Sequence, residues 1–212
     1  MNQYVNNSNQ FTNIIGVVQP PTVLGTSQSY SQIVGPVQAI YPLSDICFPA
    51  GTSITTNQGV ICIDKIDTTI HTIRNKKIMS ITKTISQDKH LILFKENSLG
   101  PNIPNKPTMT TENHMIFYNK QMIPAAVFVD NFINVTKIPY TGEPLYNVLL
   151  ENHDKMIVNN LICETLSPEH PIAKLYKILP NFSAENQMSI IKSLNDSILY
   201  KKEGSITFPT LA

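Results

Sequence analysis

The apolar residues fall into two regimes along the chain. Between residues 47 and 163 they occur in short β-branched runs separated by turn residues. Segments 53–56 and 60–63 flank Asn57-Gln58-Gly59, where Gly59 is free to take positive φ, and read as a hairpin. Segments 69–73 and 78–85 flank Arg74-Asn75-Lys76-Lys77 and predict a second hairpin. A short buried strand fits 91–94. Residues 97–107 carry Gly100 and three prolines and read as a loop. Strands at 108–111 and 116–118 follow, then one short helical turn at 124–129. Strands at 133–138 and 145–151 are separated by a tight turn at Pro139-Tyr140-Thr141-Gly142. Many short strands with turns between them predict a mainly β domain, a barrel or sandwich.

From residue 167 the period changes. Ser167 followed by Pro168 predicts an N-cap and a first-position proline. Ile172, Leu175, Tyr176, Ile178 and Leu179 have helical spacing up to Pro180. A second helix fits 183–199, with Met188, Ile191, Leu194 and Ile198 on one stripe. That stripe either packs on the domain's own sheet or meets an oligomer or protein partner. Residues 1–46 show neither period and hold a single charged side chain, Asp45. They read as an arm, either disordered or extended and able to pair with a sheet edge of a protein partner. The chain therefore divides into an arm at 1–46, a β module at 47–166 and a helical tail at 167–212.

Composition narrows the function. Sixteen basic against 15 acidic side chains argue against general nucleic-acid or anionic-membrane binding. No run approaches the roughly 20 apolar residues of a membrane span, and the N-terminus lacks a secretion signal. The three cysteines are an odd number without metal-like spacing, so neither a disulfide framework, a metal site nor a cofactor is expected. Free thiols suit a reducing compartment.

One stretch stands out: Cys47-Phe48-Pro49-Ala50-Gly51-Thr52-Ser53-Ile54, continuing to Asp64-Lys65-Ile66. A second block, Thr111-Glu112-Asn113-His114 before Met115-Ile116-Phe117-Tyr118, lies about sixty residues on. A third runs from Leu145-Tyr146-Asn147-Val148 through His153 to Met156-Ile157-Val158-Asn159-Asn160-Leu161-Ile162. In this order the three blocks resemble the Hint module, the self-processing domain shared by Hedgehog autoprocessing domains and inteins. The resemblance implies a Hint-type β-fold in which the N-terminal segment is the substrate. The tail from Glu164 to Tyr176 is also similar to that of short Hint proteins of large DNA viruses, which suggests a virion-associated setting.

The resemblance assigns roles residue by residue. Cys47 is the nucleophile that attacks the carbonyl of Ile46 and forms a thioester, a step that needs thiolate character. His114 is the proton donor to the departing nitrogen, for which a pKa near neutrality suits. Thr111 orients or polarises the scissile peptide. His153 assists a later step at the C-terminal junction. Each has a plainer reading: a buried structural thiol, a core histidine, an ordinary strand threonine and a surface histidine. Cys62 and Cys163 read as core. Asn147 stands where many relatives have Asp, and an amide cannot serve as a base. No terminal Asn follows in Cys163-Glu164-Thr165, so full splicing is not expected. Ile46, β-branched where relatives often have Gly, crowds its own carbonyl and slows attack. The leading expectation is an autocatalytic protein that releases or transfers residues 1–46. The alternative is a non-cleaving Hint fold used in assembly, for example of a virus particle.

Overall fold

Asparagine does much of the turning in this chain. The computed structural model describes residues 40–203, and in it three strand connections each place two successive residues at positive φ. They are Arg74-Asn75 (51° and 62°), Asn119-Lys120 (48° and 65°) and Asn159-Asn160 (45° and 68°). Two left-handed residues in a row make the tight connection whose twist matches paired strands, and Asn tolerates that region better than most side chains. The three connections close β4 (Thr72–Ile73) on β5 (Lys76–Thr84), β8 (Met115–Tyr118) on β9 (Gln121–Pro124), and β12 (Lys155–Val158) on β13 (Leu161–Glu164). Gly59, at φ 121°, closes β2 (Ser53–Thr56) on β3 (Gly59–Cys62).

The remaining strands are β1 (Phe48–Pro49), β6 (His90–Phe94), β7 (Thr108–Thr110), β10 (Val135–Pro139) and β11 (Leu145–Leu150). They assemble into three sheets, ordered β1-β11-β5-β4, β10-β6-β7 and β3-β2-β12-β13-β8-β9. The fold is mainly β, as expected. Phe48, Ile54, Ile78, Phe94, Ile116, Phe128, Val148 and Val158 pack in one shared core. Strand β11 is apolar on both faces, and the structure supplies the reason. Val148 and Leu150 join that core, while Leu149 packs with Leu166, Ile172 and Ala173 at the base of the tail.

The tail holds helices α1 (Pro171–Ile178) and α2 (Ala184–Glu203). Tyr176 docks α1 on β5: its hydroxyl donates to the Lys83 carbonyl and accepts from the Lys83 amide, both at 2.6 Å. Burial raises its phenol pKa.

Several expectations change. The cap of α1 is His170, whose Nδ1 accepts the Ile172 amide, with Pro171 in the first turn; Ser167 and Pro168 precede the helix. Residues 139–142 are no hairpin turn, because β10 pairs with β6 and β11 with β5, so the segment crosses between sheets. Ile133 lies outside β10 and is 97% exposed. Residues 69–71 form a turn around Asp67 rather than strand. Cys62 is half-buried rather than core, whereas Cys163 is buried in the core and all three cysteines are free. Residues 1–39 of the expected arm at 1–46, and the chain end at 204–212, lie outside the described residues.

Candidate functional site

The peptide between Ile46 and Cys47 is held at both of its polar ends. Strand β1 starts one residue after Cys47 and pairs with the start of β11, opposite Leu145 and Tyr146. That pairing sets the Ile46 carbonyl against Asn147, whose Nδ2 donates to it at 2.5 Å. The other side of the Asn147 amide accepts the Val148 N–H at 2.7 Å, which fixes which way the group points. On the nitrogen side, the Cys47 N–H donates to Thr111 Oγ1 at 2.8 Å. The Cys47 carbonyl accepts from the Thr111 N–H at 3.0 Å and from Thr110 Oγ1 at 2.9 Å. The end of β7 thus pins the residue on the downstream side of the peptide.

The Cys47 thiol is 1% exposed and lies 3.0 Å from Thr84 Oγ1 on β5. Burial pushes its pKa up to about 11, against hydrogen bonds from Ser44 and Thr84 that favour the thiolate. The resting state is therefore the thiol.

His114 is fully buried, with its ring 4.2 Å from that of Phe48, the residue next to Cys47. Nε2 meets the Glu164 carbonyl at 3.2 Å. A carbonyl only accepts, so Nε2 carries the proton and Nδ1 is a bare lone pair. Nδ1 finds no hydrogen-bond partner among the described residues. Burial pushes the His114 pKa down to about 3. This differs from the near-neutral value that proton donation suggested: the imidazole rests as a neutral base. Its one neighbour of consequence is a backbone carbonyl, too little to hold a buried cation.

His153 lies apart from this group in its bonding. Its Nε2 meets the Thr165 carbonyl at 3.0 Å, next along the chain from the carbonyl that His114 meets. The residue that sequence reasoning undervalued is Asn147. The resemblance marks it only as an amide that cannot serve as a base, whereas it donates to the Ile46 carbonyl. The available signal is an amide within the mostly apolar run of β11, and the structure buries it as completely as Leu145 and Val148. Among the described residues no cluster of His, Cys, Asp or Glu could hold a metal ion, and no helix is long and apolar enough to cross a membrane.

Residues 46–170 match the Hint domain family, and this chain belongs to it. Among solved structures, it is similar to a bacterial intein-like domain from Clostridium thermocellum at 15% identity. That match covers 58% of this chain and all of the other, with a TM-score of 0.44. A DnaB intein from Synechocystis is similar at 10% identity over 57% of this chain and 99% of the other, with a TM-score of 0.41. No curated protein matches.

Proposed function

We propose that this protein cleaves itself at Ile46–Cys47 through a thioester and releases or transfers residues 1–46 without splicing. Cys47 Sγ attacks the Ile46 carbonyl carbon, so a C–S bond forms and the C–N bond breaks. The thiol proton ends on the departing nitrogen, which becomes the α-amine of Cys47. Water or an outside nucleophile then displaces sulfur, and Cys47 recovers its thiol. One observation carries this reading: the scissile peptide is bonded at its oxygen by Asn147 and at its nitrogen by Thr111. A donor already on the carbonyl oxygen is where an oxyanion needs it. His114, the proton donor that the resemblance implies, rests neutral with Nδ1 unpartnered among the described residues, so its part is a transient relay of the thiol proton to the nitrogen within the reacting step and not a resting acid. The N-terminal segment is the substrate. A cleft of about 280 Å3 lined by Ser44, Asp45, Asn113 and His170 opens beside the junction and offers a route for the second nucleophile. His153 is assigned no part in this step.

The second reading, a non-cleaving Hint fold kept for assembly, is favoured by the buried thiol with its high pKa. Intact mass after incubation with hydroxylamine separates the two. Loss of residues 1–46 from the native sequence, abolished in Cys47→Ala, is expected. A chain that stays full-length with Cys47 reduced and reachable by thiol reagents would establish the assembly reading instead.

A further inference from the structure

The segment just upstream of the junction is bonded along both edges. On one edge it runs parallel to residue Ile85: the Ile85 N–H donates to the Pro42 carbonyl at 3.0 Å, and the Ser44 N–H donates to the Ile85 carbonyl at 2.9 Å. On the other edge stands a single side chain from α2. Asn195 Oδ1 accepts the Leu43 N–H at 2.9 Å, and its Nδ2 donates to the Tyr41 carbonyl at 3.0 Å. An amide side chain that both gives and takes in this way replaces a neighbouring strand. It is 152 residues from Leu43 in sequence. A second hold is apolar. The Ile46 side chain packs in the cluster that contains Ile172, Ala173 and Tyr176 of α1 and Leu194 of α2. The Lys83 ammonium also lies 4.9 Å from the centre of the Tyr41 ring.

We propose that the two C-terminal helices are a clamp for the substrate segment, which they grip by its backbone at residues 41 and 43 and by one side chain at residue 46. This rests on the reading of Ile46–Cys47 as the junction. Backbone bonding specifies an extended chain and says little about its side chains. The helices therefore read residues 41 and 43 by their backbone alone, reject proline at 43, and prefer an aliphatic residue at 46. Because none of these contacts involves the scissile bond, they survive its cleavage. The released N-terminal segment stays bound to the module until the tail lets go, which keeps the acyl group or carboxylate at the site.

The test has two arms on the full chain. In the first, hydroxylamine-treated protein is passed over a sizing column under native conditions. The cleaved segment is expected to travel with the module in the native sequence, and to separate in Asn195→Ala and in Leu43→Pro. Leu43→Ala, which keeps the N–H, should retain it. A segment that separates equally from native protein and Asn195→Ala would overturn the clamp. The second arm needs no cleavage. In Cys47→Ala, amide exchange at Leu43 is expected to become roughly tenfold faster when Asn195→Ala is added. The Val148 amide reports that the β module is still folded. Unchanged exchange at Leu43 overturns the clamp whether or not the chain cleaves, so its failure is distinct from failure of the autoprocessing reading.

Discussion

The two sides of the Ile46–Cys47 peptide are held by different means. Downstream, the β module fixes atoms one at a time: Thr111 on the Cys47 nitrogen, Thr110 and Thr111 on its carbonyl, Thr84 at its sulfur. These groups are buried, and each has a specific partner. Upstream, Ile85 and Asn195 hold a length of backbone, with Ile46 packed against the tail, Asp45 bonded by the Asn113 amide and Tyr41 beside the Lys83 ammonium. The first arrangement suits chemistry, in which small misplacements of reacting atoms cost large factors in rate. The second suits the retention of an extended segment. Substitutions in the β module should therefore change the rate of bond breaking, and substitutions in the tail should change how long the product stays.

The largest effect expected on the β-module side, after loss of Cys47 itself, is at Asn147. Asn147→Ala removes the donor on the Ile46 oxygen and should slow cleavage by about 10²- to 10³-fold, the usual cost of one oxyanion donor. Asn147→Asp should not restore the rate, because a carboxylate facing the carbonyl repels the developing charge. The measurement is loss of full-length chain by mass, with amide dispersion in an NMR spectrum confirming the fold. An Asn147→Ala variant that cleaves as fast as native protein would remove the β-module side of the contrast.

The next effect separates a β-module histidine from a tail histidine. His114 is held neutral by burial, with a folded pKa of about 3 against about 6.5 unfolded. Below pH 6.5 the unfolded chain takes up a proton there that the folded chain does not. Stability should therefore be intact above pH 6.5 and fall as pH drops toward 3, by up to about 1.4 kcal/mol per unit from this group. His170, the cap of α1, is only half-buried, and burial lowers its pKa. Urea midpoints at pH 7, 5.5 and 4 should show the acid slope shrinking in His114→Gln and changing much less in His170→Asn, which keeps a capping side chain. Equal slopes in native protein and His114→Gln would mean that the imidazole is open to water.

How far the sequence foretold this contrast differs between its halves. The first two hairpins are legible because Gly59 and Asn75 mark their reversals, whereas β9, β12 and β13 are not predicted from the apolar pattern; the family is legible because Cys47, Thr111 and His114 stand in ordered blocks. Direct bonds do join Cys47 to Thr111. Asn147 was readable as a buried polar residue, but its use depends on where one carbonyl oxygen lies, and that is set by the register of β1 on β11. Asn195 was unreadable. It sits beside the apolar stripe of α2 like any polar helix residue, and only the path of the tail back over β5 brings it to Tyr41 and Leu43. Helical period reports which face is buried, not which distant backbone it will meet.

Ile46 belongs to both halves and gives the smallest and most discriminating effect. Its carbonyl is bonded in the β module and its side chain packs with the tail. Branching at Cβ crowds the path of Sγ to the carbonyl carbon, while the same methyl groups anchor the segment. Glycine would remove both features at once and confuse them. Ile46→Leu moves the branch one carbon outward and nearly conserves volume, so packing should change by less than about 1.5 kcal/mol. Ile46→Val keeps the branch and loses one methylene, at a cost of about 0.5–1.5 kcal/mol. If crowding restrains attack, Ile46→Leu should cleave a few-fold faster than native protein, and Ile46→Val at the native rate with weaker retention of the released segment. Rates come from mass against time in hydroxylamine, and retention from co-elution of the segment. Should both variants cleave at the native rate, crowding at Cβ is not what limits attack, and the upstream side serves retention alone.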